Sequence, residues 1–112
     1  MIERQIEWSK QEKEIARKAY EAAYNRKCTT IAKNVHIITT DIKKPSNLWA
    51  IHDFLTEKRK ETDEKYDYRY SVLLWVFSRL IYEGWARMEE LSGLSDEKLE
   101  SIKLIVESFR KA

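Results

Sequence analysis

Apolar residues along this chain recur at helical spacing. Tyr24, Cys28, Ile31, Val35, Ile38 and Ile42 follow one another at intervals of four and three, the a/d seam of a heptad. Trp8, Ile15, Ala19 and Ala22 lie on a different face of the same segment. Together they predict one helix from about Ile6 to about Ile42, roughly 50 Å long at 1.5 Å per residue. A globular domain of this size has a radius of gyration of only about 13 Å. The rest of the chain is too short to cover every apolar face of such a rod, which must fold back or lie against a second chain. "VHIITTDI" is β-branched and offers a short strand as the alternative, with no evident partner strand.

A second helix is expected after "KKPSN", with Ser46 or Asn47 as its N-cap. Leu48, Ile51, Phe54 and Leu55 gather on one side of it. Trp49 projects from the other side with His52, Asp53, Thr56, Lys60 and Asp63, and Arg59 stands at the edge. A third helix, from about Lys65 to Leu91, carries a core stripe of Tyr66, Tyr70, Leu73, Leu74, Phe77, Leu80, Ile81, Gly84, Met88 and Leu91. Tyr68, Val72, Trp75, Val76 and Tyr82 lie roughly opposite, and a helix apolar on two sides is buried on two sides. Those aromatics form either a subunit contact or a loosely packed corner of one copy. Gly93 ends this stretch, and Ser95 caps a last helix that buries Leu99, Ile102, Ile105, Val106 and Phe109, with Asp96 and Glu97 in its first turn. The expectation is a single all-α domain over residues 1–112, forming an elongated helical homodimer with a long N-terminal helix and three to four further helices.

Composition supports this picture. Two glycines and one proline in 112 residues leave little material for turns and sheets. Basic residues number 21 and acidic ones 19, a net charge of +2, which gives neither nucleic acid nor an anionic membrane a reason to be the main partner. One cysteine excludes an internal disulfide and suits a reducing compartment. The apolar run "VLLWVF" is too short to span a bilayer and Met1 to Lys10 does not read as a leader, so a cytoplasmic protein without membrane insertion is the default.

Catalytic chemistry is thin. His36 and His52 fall on different helices, no residues have metal-ligand spacing, and the heptad makes Cys28 a small core residue. His52 and Asp53 project about 100° apart, too far for a triad-like pair. "TEKRKETDEK" alternates in sign, as a solvated helix face does, and Glu89-Glu90 belongs to a similarly charged surface. No catalytic residue, cofactor or metal is expected. Trp49 beside His52, Asp53 and Arg59 has the composition of an interface anchor, since Trp and Arg carry contact area together with directed hydrogen bonds. Shelter over the helix terminus, or packing on the first helix, would account for the same indole.

The stretches "LWAIHDFLTEKRKETDEKYDYRYSV" and "FSRLIYEGWARMEELSGL" resemble the cyanobacterial fluorescence recovery protein family. Its pattern is matched by the "LW-x-x-HDFL-x-x-KR" core and, further on, by Asp63, Lys65, Tyr66, Asp67, Arg69, Phe77, Glu83, Gly84, Glu89, Glu90 and Leu91. Upstream, Trp8-Ser9, Ala23, Tyr24 and Arg26 stay in register, so the likeness covers most of the chain. The resemblance implies a cofactor-free, all-α homodimer, or a tetramer of two such dimers, that binds the C-terminal domain of the photoactivated orange carotenoid protein. It implies that this binding speeds return of that protein to its inactive orange form and ends quenching of phycobilisome fluorescence. Such a protein works in the cytoplasm, at the cytoplasmic face of thylakoids. The family's functional patch carries over to Trp49, His52, Asp53 and Arg59, while the heptad seam and the second face of the third helix give Tyr24, Cys28, Ile31, Val35, Ile38 and Trp75 as the expected dimer contact. Three places depart from the pattern: Ser101 where a basic residue is expected, Trp75 where a phenylalanine is expected, and the seam around Ile31 and Ala32. The family has relatives in bacteria without phycobilisomes, where the same helical dimer would be an adaptor for another protein client. A small-molecule or catalytic use of the Trp49-His52-Asp53 face is a third possibility.

Overall fold

The computed structural model describes residues 6–111. The reading of Met1 to Lys10 therefore falls partly outside the described residues. Four α-helices follow in order: α1 (Lys10–Thr39), α2 (Pro45–Lys65), α3 (Leu73–Tyr82) and α4 (Asp96–Lys111), with a 3-10 turn at Met88–Leu91 between the last two. No β-strand occurs among the described residues, and "VHIITTDI" continues α1 as far as Thr39. The shape is elongated, 56 × 29 × 23 Å, with a radius of gyration of 17.3 Å. No described helix is long and apolar enough to cross a membrane.

α1 starts later than its apolar pattern suggests because Ser9 stops it. The Ser9 hydroxyl accepts from the Glu12 N–H at 3.1 Å and the Glu12 carboxylate accepts from the Ser9 N–H at 3.0 Å, a reciprocal capping box. Its N-terminal half buries Glu12, Ala16, Ala19, Ala23 and Lys27, a stripe at helical spacing. The small alanines let other elements approach the helix closely. α2 opens at Pro45, whose ring suits the first helical position. Neither Ser46 nor Asn47 is therefore the N-cap, contrary to expectation: Lys44 holds that position, and Asn47 Oδ1 accepts from the Lys43 and Lys44 N–H groups at 3.1 and 3.0 Å.

The long third helix expected from Lys65 to Leu91 is not one helix. Residues 66–72 are extended or turning and α3 is short. Tyr66, Tyr68 and Tyr70 alternate, and side chains two apart point the same way only in an extended chain. All three come down on α1. Tyr66 lies edge-on to Tyr20 and Tyr24 and donates its hydroxyl to the Ala23 carbonyl at 3.2 Å. Tyr68 meets the Tyr20 ring at 4.7 Å and Tyr70 meets Trp8 at 5.6 Å. Arg17 and Lys13 sit over the Tyr68 and Tyr70 rings. Burial pushes the Tyr68 phenol up to about 12. The segment thus runs antiparallel to α1, and this side-chain docking outweighs its helical propensity.

Phe77, Leu73, Leu80, Leu91 and Ile102 are the largest fully buried apolar side chains, so the core sits where α3 and α4 meet the N-terminal half of α1. Val76, assigned to the opposite face, belongs to this core, while Leu99, Ile105 and Phe109 are only half-buried. Gly84 is not inside a helix but terminates α3 at φ +87°. Gly93 turns the chain at φ +103°, and a Cβ there would fall 2.6 Å from Ile15 Cδ1. Gly93→Ala should therefore cost about 1–3 kcal/mol. Thermal unfolding checks this, and an unchanged midpoint would refute it.

Two polar joints close the core. Lys98 reaches from α4 to the Glu12 carboxylate, 3.1 Å from each oxygen, and to the Glu7 carbonyl at 2.7 Å. Arg26 grips Glu90 with both terminal nitrogens, at 2.8 and 2.7 Å, and also donates to the Trp85 carbonyl.

Candidate functional site: the α2 arm and its groove

α2 stands apart from that core. Its buried residues are Ile51 and Thr62 alone, and Leu48 and Leu55, on the same side as Ile51, are exposed. The far half of α1 is bare in the same way. Ile37 is 66% exposed, Tyr24 and Ile42 are exposed, and Ile31, Val35 and Ile38 are half-buried. Cys28 is exposed as well, which corrects its assignment to the core of a single copy. Its sulfur beside the Tyr24 hydroxyl pushes that phenol up.

Between α1 and α2 runs an open groove of about 480 Å³. Tyr24, Cys28 and Ile31 line it from α1, and His52, Leu55, Thr56, Lys58, Arg59, Thr62 and Asp63 line it from α2. The Thr62 hydroxyl is buried there without a hydrogen-bond partner. Of the residues assigned to the dimer seam, Tyr24, Cys28 and Ile31 thus share one groove, and Val35 and Ile38 continue their line along α1. Trp75 lies elsewhere, on α3, where its ring packs 4.9 Å from Phe109 of α4 and stands half exposed.

The four residues assigned to partner binding all lie on α2 and divide between two directions. His52 and Arg59, seven positions apart, stack along the groove side. Trp49 is 65% exposed, so neither a helix terminus nor α1 shelters its indole within one copy. Asp53 lies about 40° further round from Trp49. His52 and Asp53 come closer than their projection angles imply, with Nδ1 and Oδ1 3.4 Å apart, but both are solvated and nothing further orients the pair. Arg59 holds Asp63 one turn on, at 3.3 Å. The arrangement is an indole with a cation on one flank and a carboxylate on the other, raised on a helix with little else around it. Among the described residues no group of three or more His, Cys, Asp or Glu is placed to hold a metal.

Sequence reasoning missed the joints that hold this arm and the core in place. The Ser9-Lys10-Gln11-Glu12 stretch does carry a capping-box signature. Nothing local marks buried Lys98 and Lys27, or half-buried Arg26, as partners of distant carboxylates.

Fold and surface together define a small all-helical protein whose distinctive chemistry is an exposed aromatic-and-ionic surface. Residues 8–106 match the family described as photoprotection regulator fluorescence recovery protein. The chain is 38% identical over 98 residues to the fluorescence recovery protein of Synechocystis sp., covering 88% of this chain and 90% of that protein. The solved structure of the Fremyella diplosiphon fluorescence recovery protein superposes with a TM-score of 0.83 at 40% identity, covering 90% of this chain and 99% of the other. That of the Synechocystis protein gives a TM-score of 0.83 at 37% identity over the same shares. The chain belongs to the fluorescence recovery protein family, a family of photoprotection regulators.

Proposed function

We propose that this protein is a non-enzymatic regulator that binds the photoactivated orange carotenoid protein and accelerates its return to the orange form, ending quenching of phycobilisome fluorescence. The observation that carries the reading is Trp49, 65% exposed between His52, Asp53 and Arg59 in a member of a photoprotection-regulator family. An indole left in water on a thinly packed helix is unfavourable for a lone protein and useful to one that buries it on a client. Trp49 buries its ring on the client's C-terminal domain, while Asp53 and Arg59 set orientation through charge-assisted hydrogen bonds. Binding speeds relaxation when the closing client is held more tightly than the open one.

The working unit is a homodimer in the cytoplasm. A second copy seated on Tyr24, Cys28, Ile31, Val35 and Ile38 covers the groove. Residues 1–112 act as one unit, without a cofactor.

The test is to photoactivate the carotenoid protein, add this protein and follow decay of the red form in darkness. Trp49→Ala should weaken the half-saturating concentration at least about thirty-fold, as truncating an interface anchor does, with the sedimentation coefficient unchanged. A variant as active as the parent would discard the patch. Decay unaltered by the parent would remove this client and leave the adaptor reading, a helical dimer with another protein partner.

A further inference from the structure

Something must hold the angle of the α2 arm, because its apolar contacts with the rest of the chain are few. Lys27 is 7% exposed, with its ammonium 4.6 Å above the Trp85 ring and 3.5 Å from Glu61 Oε1. The same oxygen accepts from Lys65 at 3.3 Å, and Glu61 Oε2 lies 3.5 Å from Lys58. Lys65 continues to both oxygens of Glu83, at 3.2 and 3.1 Å, and Glu83 Oε2 accepts from Arg79 at 3.3 Å. The chain of charges therefore runs from α1 through α2 to α3.

We infer that Glu61 is the positioning residue of the arm: by gathering Lys27, Lys58 and Lys65 it fixes the angle at which α2 presents Trp49, His52, Asp53 and Arg59. This rests on the client-binding reading of those four residues. A buried ammonium stripped of its carboxylate is costly, so α2 cannot tilt away from α1 without leaving Lys27 uncompensated beneath Trp85. The Tyr66 hydroxyl bond to the Ala23 carbonyl and the Tyr20 hydroxyl bond to the Tyr66 carbonyl pin the end of α2, but both act at one terminal residue, a pivot that leaves the angle free. Trp49 precedes Glu61 by twelve residues, about 18 Å along the axis. A tilt of about 10° at Glu61 carries the indole about 3 Å, well beyond the roughly 0.5 Å tolerance of a directed site.

The test uses the full-length dimer in a Cys28→Ser background. Nitroxides are placed at Ser46→Cys on α2 and Lys103→Cys on α4, both exposed, and labelled chains are diluted into unlabelled ones. Glu61→Gln and Lys27→Met should each broaden or shift the Ser46–Lys103 distance distribution by about 3 Å, and Lys27→Arg should restore it. In the client assay, without labels, the half-saturating concentration should rise about ten-fold while the maximal acceleration stays near the parent's. Distances as narrow as the parent's in both variants would overturn the inference. So would altered distances with an unchanged half-saturating concentration. If the parent itself leaves the client unaffected, the client reading fails, while the distances still decide whether Glu61 sets the arm. Circular dichroism identifies a variant that does not fold, and Lys27→Met, which keeps the apolar stem against Trp85, then carries the comparison.

Discussion

Lys98→Met is expected to lower the unfolding free energy by about 3 kcal/mol, the lower end of the range for breaking a buried ion pair. The side chains of Lys98 and Glu12 are 8% and 11% exposed, so solvent screens the pair little. Methionine keeps the stem but leaves the Glu12 carboxylate inside with only the Ser9 and Ser95 N–H donors, and the Glu7 carbonyl without its ammonium. For a chain of this length the thermal midpoint should fall by roughly 10–20 °C. The loss also has a pH signature. Burial raises the Glu12 carboxyl, but hydrogen bonds from Ser9 and Ser95 and the Lys98 ammonium outweigh it, holding the group at about 2 against an ordinary 4.5. A depressed carboxyl stabilises the fold fully above its unfolded value, and that contribution disappears as pH falls through about 2. The gap between parent and variant should thus be full near neutrality and close on strong acidification. Urea titrations at a series of pH values measure it, with Glu12→Gln as the partner variant. Equal midpoints at pH 7 would show that the pair contributes nothing to stability.

The second large effect concerns assembly. Ile31→Asp should raise the dimer dissociation constant by about a thousand-fold or more, because two-fold symmetry buries the new carboxylate twice and each burial costs about 2–3 kcal/mol. Ile31 lines the open groove and supports nothing in the core, so the separated chain should remain helical. Sedimentation velocity at micromolar concentration decides it. A parent that sediments as a monomer, or a variant that still sediments as the parent does, would reject the groove as the subunit contact.

These two residues also show where sequence reading succeeds and where it stops. The far half of α1 was legible as a face its own chain leaves partly uncovered, with Ile37 exposed and Ile31 half-buried, and the Ile31 variant tests what covers it. The helices α1 and α4 were legible from local periodicity, with Ser95 read as the cap of α4, whereas the Ser9 cap of α1 was not read. Residues 66–72 were not. Tyr66 and Tyr70 fit a helical stripe with Tyr68 opposite, all three fit one side of an alternating strand, and what decides between them is the row of alanines on α1, more than forty positions away. Gly84 was placed inside a helix by that error, and Val76 on the wrong face. Leu48 and Leu55 share a side with Ile51 by spacing, yet only Ile51 is buried. Amphipathicity tells which residues share a side, not whether the chain's own core reaches it. Lys98 and Lys27 could not be found at all, since a lysine that is paired and buried reads like any solvated one until its distant carboxylate is in place.

The continuity of α1 carries one more consequence. Its first half is stabilised from within, by alanines packed under tyrosines and by Glu12, and that contribution does not vary with how much protein is in solution. Its second half lacks such cover within one copy, and in the proposed homodimer its stability follows mass action and weakens on dilution. In that dimer one unbroken helix has two thermodynamic reference points, and its fraying end would report the local abundance of the protein itself.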